Sequence, residues 1–364
     1  MKKYNIIWII PNLNEKLYIV KKNIKLIYNF SEDKNYDYKI ILADGGSDYN
    51  KLISLKEFIK RFDKKVELNL VMPLLRPTKD KAIKDIVERY LSENVAIVDS
   101  DCVNIDKNIL NKLISPLISK RCAISLPNLT KSGGRVNRLI CNPLLWLLYP
   151  DVYKKMKFPL SGIIALKYDI LKGVTEKKDF FWDWGGEIQI VINPNKKVKI
   201  NQFVFDKLDA KKRSLSSKKD DARQILRTIL YEFLKKHKSL PQKLKKEYKI
   251  YVEQRSYEDY LISEMVISTL EEILFNRKLK IKGYKEVPSK RIDKLKLEKR
   301  KGILRKIYIN YVREFLLSKK SKKEFMQRCQ KIIKRQIELA DKKSINITNL
   351  TNKKIKELLN KNIK

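Results

Sequence analysis

The chain has 364 residues, 43% of them hydrophobic and 34% charged, which is enough apolar material for a folded core and excludes a disordered or fibrous chain. Its 82 Lys+Arg against 42 Asp+Glu give a formal charge of +40, but Lys, Asn and Ile are abundant together, so the basicity reads as compositional bias as much as a nucleic-acid surface. Four separated cysteines without a Cys-x-x-Cys pair, and a single histidine, leave no ordinary zinc spacing and argue against Ser-His or Cys-His catalysis.

The first half alternates between two periodicities. Tyr4–Ile10 (with NIIWII) is a short strand ended by Pro11, too short an apolar run for a secretory leader. Glu15–Asn29 has helical spacing, with Leu17, Val20, Ile24 and Ile27 on one stripe. Lys39–Ala43 is a second strand, Leu52–Phe62 an amphipathic helix and Val66–Met72 a third strand. Lys79–Ser92 is helical, and Val95–Val98 is a fourth, wholly apolar strand. Alternation at these lengths predicts βαβ units and a parallel sheet, whose ligands sit beyond the carboxyl ends of the strands. The residues that follow the strands are polar: Pro11-Asn12-Leu13-Asn14-Glu15, Asp44-Gly45-Gly46-Ser47-Asp48, Pro77-Thr78-Lys79 and Asp99-Ser100-Asp101. Each has a bland reading: Asn14 as a helix cap, Asp44-Gly45 as a turn, Lys79 as a solvated charge. Four at one edge of one sheet point to a binding site. Asp99 and Asp101, two apart at a strand end, project to one side and suit a hard divalent cation whose shell substrate phosphates complete.

These motifs resemble the nucleotide-sugar-binding GT-A fold of family 2-like glycosyltransferases, through PNLNE (11–15), Asp44 and VDSDC (98–102). More narrowly, the chain is similar to the glucosyl-3-phosphoglycerate synthase family, with its mannosyl relatives. Pro77-Thr78-Lys79-Asp80-Lys81-Ala82 keeps the Pro, Lys and Ala of that family's Pro-Gly-Lys-Gly-Glu-Ala, without its glycines. Ser132-Gly133-Gly134-Arg135-Val136-Asn137, Pro143-Leu144-Leu145, Pro159-Leu160-Ser161-Gly162 and Trp184-Gly185-Gly186-Glu187 follow further family motifs.

The resemblance implies an α/β GT-A fold with a largely parallel central sheet and a helical C-terminal region. It also implies roles for residues. Pro11, Asn14, Glu15 and Asp44 would hold the nucleoside, and Lys79 the base or diphosphate. Asp99, Ser100 and Asp101 would bracket the nucleotide sugar, with Asp101 the closer ligand of Mg²⁺ or Mn²⁺. Gly134, Arg135 and Asn137 would hold an anionic acceptor, for which a bidentate Arg is chemically apt. Glu187 would orient the sugar or the acceptor, and Trp182 and Trp184 divide evenly between packing and sugar stacking. The family's third metal ligand, a histidine, is missing from Val204–Arg213; Asp209 or Asp206 would replace it, or Lys211 stands in its place. Asn137 stands where the family has Thr, which leaves the acceptor open.

Beyond Asp220 the chain reads as helical, with apolar stripes at Ala222–Phe233 and Tyr257–Phe275 and His237 on a solvated, lysine-rich face. Residues 290–364 hold 25 Lys+Arg against 7 Asp+Glu, and 302–318 and 325–340 are basic amphipathic helices. The expected organisation is a catalytic domain over 1–215, a helical region over 216–292 that packs on the core or forms a homodimer interface, and a basic extension over 293–364. No apolar window reaches the ~18 residues of a membrane span; Leu139–Tyr149 is interrupted by Asn142 and Pro143. The expectation is a cytoplasmic, metal-dependent hexosyltransferase that retains anomeric configuration. Its donor would be an NDP-sugar of the UDP-glucose or GDP-mannose type, and its acceptor a small phosphorylated compound, 3-phosphoglycerate foremost. The alternatives are a polymeric or lipid-linked acceptor reached through peripheral membrane contact of the basic tail, or, in another class, a basic nucleic-acid-binding protein.

Overall fold

The computed structural model describes residues 2–72, 79–129, 136–156, 158–193, 198–205, 215–237, 272–274 and 311–362. They divide between two compact units. The first comprises residues 1–132, 160–212 and 335–364, and is built on an eight-stranded sheet.

The chain enters this sheet through β1 (Lys3–Asn12), α1 (Leu17–Asp33), β2 (Tyr38–Asp44), α2 (Tyr49–Ile59), β3 (Val66–Leu70), α3 (Lys79–Arg89) and β4 (Leu91–Val98). It continues through α4 (Lys107–Ile118) and β5 (Ile124–Leu129). β6 (Ile163–Lys167), α7 (Tyr168–Thr175), α8 (Gly185–Ile192) and β7 (Ile200–Phe205) follow a segment that belongs to the second unit. The last strand, β8, is Ile345–Asn346 and the last helix, α11, is Asn352–Asn362. The strand order is β7-β5-β6-β4-β1-β2-β3-β8. β1 lies parallel to β2 and β4, and β2 parallel to β3, while β6 runs antiparallel to β4 and β5.

The apolar runs that identify these strands in sequence are buried on both faces, which is why they carry no alternation. Ile6, Trp8, Ile10, Ile40, Leu42, Leu68, Ala96 and Val98 belong to a core shared with α1, α2 and α4. Ile7, Ile9, Ile41, Val95 and Ile97 are equally buried. Trp8 meets Phe30 of α1 edge-on, with ring centroids 6.1 Å apart.

Three expectations are corrected. The third helix ends at Arg89 rather than Ser92, because Leu91, Ser92 and Asn94 are drawn into the ladder opposite Lys3, Tyr4 and Ile6. Residues 133–159 group with the second unit rather than with the sheet. The last thirty residues are no appendage. β8 adds an antiparallel edge to β3, pairing Ile345 with Leu70 and Asn346 with Asn69. Leu68 donates its N–H to Thr348 Oγ1 at 2.9 Å and accepts the N–H of Ile347 at 2.8 Å. Ile347, Ile355 and Leu359 enter the core cluster. The tail docks because its few apolar residues cap an otherwise open sheet edge, while its lysines stay outside.

The second unit contains residues 133–159 and 213–334. A π-turn (Asn137–Cys141) runs into α5 (Asn142–Leu148), followed by α6 (Pro150–Lys155) and α9 (Leu215–Lys236). α10 (Lys319–Glu338) lies mostly within this unit. Tyr149 donates its hydroxyl to the Ile229 carbonyl, and Phe315 meets Phe325 edge-on. His237 is exposed as expected, its ring stacked on Phe233 at 4.7 Å. Of the expected helix 257–275 only 272–274 are described, and they are helical. All four cysteines are buried and none is in a disulfide. Among the described residues, no helix is long and apolar enough to cross a membrane.

Candidate functional site

The strand order reverses between β1 and β4: β2 and β3 lie on one side of β1, while β4 crosses to the other. Loops leaving the carboxyl ends of two such strands diverge and open a crevice. The described residues of the polar loops singled out in the sequence meet there; Pro77 and Thr78 lie outside the described residues.

Asp44, at the end of β2, is fully buried. Its Oδ1 accepts the N–H groups of Gly46 (2.9 Å) and Ser47 (2.6 Å), and its Oδ2 accepts Asn12 Nδ2 (2.5 Å) and Ser47 Oγ (2.7 Å). Gly46 takes φ of 100°, a conformation L side chains resist, so the turn that delivers these N–H groups needs glycine there. Burial pushes the Asp44 carboxyl above its usual pKa, and the Ser47, Asn12 and Gly46 bonds oppose the shift. Four donors fill the carboxylate's lone pairs, so Asp44 ties the β1 and β2 loops into one shape. Asn14 completes the tie. Its N–H reaches Ser47 Oγ (2.7 Å) and its Oδ1 accepts the Asp48 N–H (2.8 Å). It does not cap α1, which starts only at Leu17. Pro11 accepts the Ser100 N–H at 3.3 Å, which joins β1 to the Asp99–Asp101 turn, and Glu15 is half-buried nearby in sequence.

That turn is held from below. Asn23 of α1, fully buried, donates Nδ2 to the carbonyls of Ser100 (3.3 Å) and Cys102 (2.9 Å), and the Asp99 N–H meets the Gly162 carbonyl at 2.8 Å. Lys79, the first residue of α3, is no solvated charge: its side chain is 11% exposed. The ammonium reaches Asp99 Oδ1 at 2.5 Å and also Glu187 Oε1. It lies 5.1 Å from the centre of the Trp184 ring. Burial alone would lower the lysine's pKa, but the charges of Asp99 and Glu187 outweigh it and hold the group above its ordinary value. Trp182 carries Lys81 over its ring at 4.9 Å, so both tryptophans serve as platforms for lysine ammonium groups.

Asp101 is buried beside Asp99. Two carboxylates at a strand end fit a Mg²⁺ or Mn²⁺ ion that takes its remaining ligands from phosphates and water. Among the described residues no third acidic, His or Cys side chain joins them. Asp209 and Asp206, the expected replacements for the missing histidine, lie outside the described residues, as do Gly134 and Arg135. Asn137 is described in the second unit and is buried. Sequence reasoning passed over Ser47, Asn23 and Asp80. Ser47 lay inside a quoted loop, whereas Asn23 is one polar residue on an apolar helical stripe and carries no local signal.

No family model matches the chain. It is 23% identical over 239 residues to glucosyl-3-phosphoglycerate synthase of Mycolicibacterium smegmatis, covering 61% of this chain and 75% of that enzyme. Glucosyl-3-phosphoglycerate synthase of Mycobacterium tuberculosis, solved with Mn²⁺, UDP-glucose and phosphoglyceric acid, matches with a TM-score of 0.51 and 24% identity over 63% of this chain and 80% of that one. The same enzyme with Mg²⁺ and UDP matches with a TM-score of 0.50 and 24% identity over 62% and 78% of the two chains. The strand order, the loops gathered at its reversal and these likenesses give the chain the GT-A fold of glucosyl-3-phosphoglycerate synthase, the fold the sequence led us to expect.

Proposed function

We propose that the chain is a metal-dependent glycosyltransferase that moves a hexose from a nucleotide-diphosphate sugar to a small anionic acceptor, with 3-phosphoglycerate the first candidate. The observation that carries this reading is the meeting of Asp99, Lys79 and Glu187, with Asp101 in the same turn as Asp99, beside the Asn12–Asp44–Ser47 loop tie at the reversal of the strand order. The relatives' complexes with UDP-glucose and phosphoglyceric acid support the choice of donor and acceptor.

In this reading the β1 and β2 loops receive the nucleoside, and Asp99 and Asp101 hold a divalent cation. The cation's part is to neutralise charge on the departing diphosphate. Lys79 gives that diphosphate a second positive partner, exchanging Asp99 for phosphate oxygens. Glu187, still held against the ammonium, is placed to orient a sugar or acceptor hydroxyl. Gly134, Arg135 and Asn137 remain the proposed acceptor contacts. No protein nucleophile is required, because orientation and charge stabilisation supply much of such a rate enhancement.

The test is turnover of UDP-glucose and GDP-mannose with Mg²⁺ or Mn²⁺, with and without 3-phosphoglycerate, in the wild type and Asp101→Ala. Acceptor-dependent release of nucleotide, reduced about 100-fold or more in the variant, is the expected result. Equal turnover by both proteins would remove Asp101 from the site, and no turnover of any donor would remove the reading.

A further inference from the structure

Asp80 has no part in the site as the sequence motifs define it, yet its setting is unusual. It is fully buried, and its Oδ2 accepts the backbone N–H of Glu187 at 3.2 Å, in the first turn of α8. Its Oδ1 is buried too and finds no hydrogen-bond partner among the described residues. A carboxyl group removed from water in this way is costly unless the fold uses it. Gly186 shows how closely the fit is drawn. A Cβ there would stand 2.5 Å from Asp80 Oδ2 and 2.6 Å from the Phe181 carbonyl oxygen, so only glycine lets α8 approach the carboxyl. The simpler role of an acid in the first turn of its own helix needs neither burial nor contact with a second helix.

We propose that Asp80 is a positioning residue that fixes Glu187 for the transfer reaction. Two adjacent residues of α3 grip one residue of α8. Lys79 holds the Glu187 side chain and Asp80 holds its main chain. Together they close a ring that leaves the Glu187 carboxylate one placement, against the lysine ammonium and next to Asp99. Asp183 accepts the N–H groups of Gly185 and Gly186, so loss of the Asp80 bond falls on the Glu187 N–H, which as an N-terminal donor has no acceptor within its own helix. Glu187 then wanders by a fraction of its reach, which is enough to spoil a geometry set to within about an ångström. The inference rests on the transferase reading for what Glu187 does, but not for how it is held.

Two readouts separate these. One is hydrogen exchange of the Glu187 amide by NMR, referenced to amides of β1. The other is donor turnover with acceptor present. Asp80→Ala should speed the amide's exchange about tenfold or more and lower kcat about 10- to 100-fold. Asp80→Asn keeps an acceptor of the same shape and should preserve both within about threefold. Wild-type exchange at Glu187 in Asp80→Ala overturns the proposal. So does a loss of turnover in Asp80→Asn with the amide still protected, because charge rather than position would then be the cause. If Asp80→Ala fails to fold, Asp80→Asn decides: a protected amide with retained turnover supports the proposal, and an exposed amide with retained turnover overturns it. If the wild type consumes no donor, the transferase reading falls and the exchange measurement alone judges the hold on Glu187.

Discussion

Ending the chain after Ala340 should leave a protein that does not fold cooperatively. The deleted residues include Ile347 and Ile355, both fully buried, and Leu359 at 8% exposure, all members of the main core cluster. Truncating one buried Ile or Leu costs about 2–5 kcal/mol. Three such losses rival the ~5–15 kcal/mol that holds a whole domain together. The deletion also strips β3 of its edge partner and breaks a polar latch. Ser344 donates its N–H (3.0 Å) and its hydroxyl to Asp85 Oδ2, while Lys81 pairs with Asp85 Oδ1 in the same buried cluster. Burial pushes the Lys81 ammonium below its usual pKa and Asp85 opposes the shift, so the pair is sensitive to loss of the groups that enclose it. Lys81 and Asp85 lie on the helix whose first residue is Lys79, which ties the tail to the site's own scaffold. The measurement is a thermal melt followed by circular dichroism. A sigmoidal transition within about 5 °C of the full-length midpoint would show that the tail is dispensable after all.

The same tail shows what the sequence could not tell. It ends the stretch 290–364, whose 25 basic residues in 75 read as a basic extension, and SINIT (344–348) is too short and polar to announce a strand. What makes it one is an open β3 edge some 280 residues earlier, and no local pattern encodes that pairing. β1, β2 and β4 were legible for the opposite reason. Strands buried on both faces need unbroken apolar runs, and NIIWII, KIILA and VAIV are such runs. Asp99-Ser100-Asp101 and Asp44-Gly45-Gly46 were legible because parallel strands deliver their following residues to one edge. Asp80 was not, because a carboxyl in a first helical turn looks like a dipole partner until Glu187, 107 residues on, is placed against it.

Lys79 is the residue whose loss should be felt in both stability and turnover. Replacing it by Met keeps length and burial but removes the charge that pairs with both Asp99 and Glu187. The two carboxylates, with side chains 15% and 8% exposed, would then face each other without it. Removing one partner of a buried ion pair costs about 3–5 kcal/mol because the remaining charge stays desolvated. Arg would not substitute well, since a planar fork cannot present one compact charge to two converging carboxylates. If the transferase reading holds, turnover falls about 1,000-fold, because the lysine's charge acts on a diphosphate inside a water-poor site. Stability gives a readout that does not depend on that reading. With the ammonium gone, Asp99 loses a competing partner and is freer to share a divalent cation with Asp101, so Mn²⁺ should raise the melting temperature of Lys79→Met by more than that of the wild type. A variant within about 1 kcal/mol of wild type by chemical denaturation would show that Lys79 does not neutralise this pair. Indifference of its melting temperature to Mn²⁺ would show that Asp99 and Asp101 do not form a cation site.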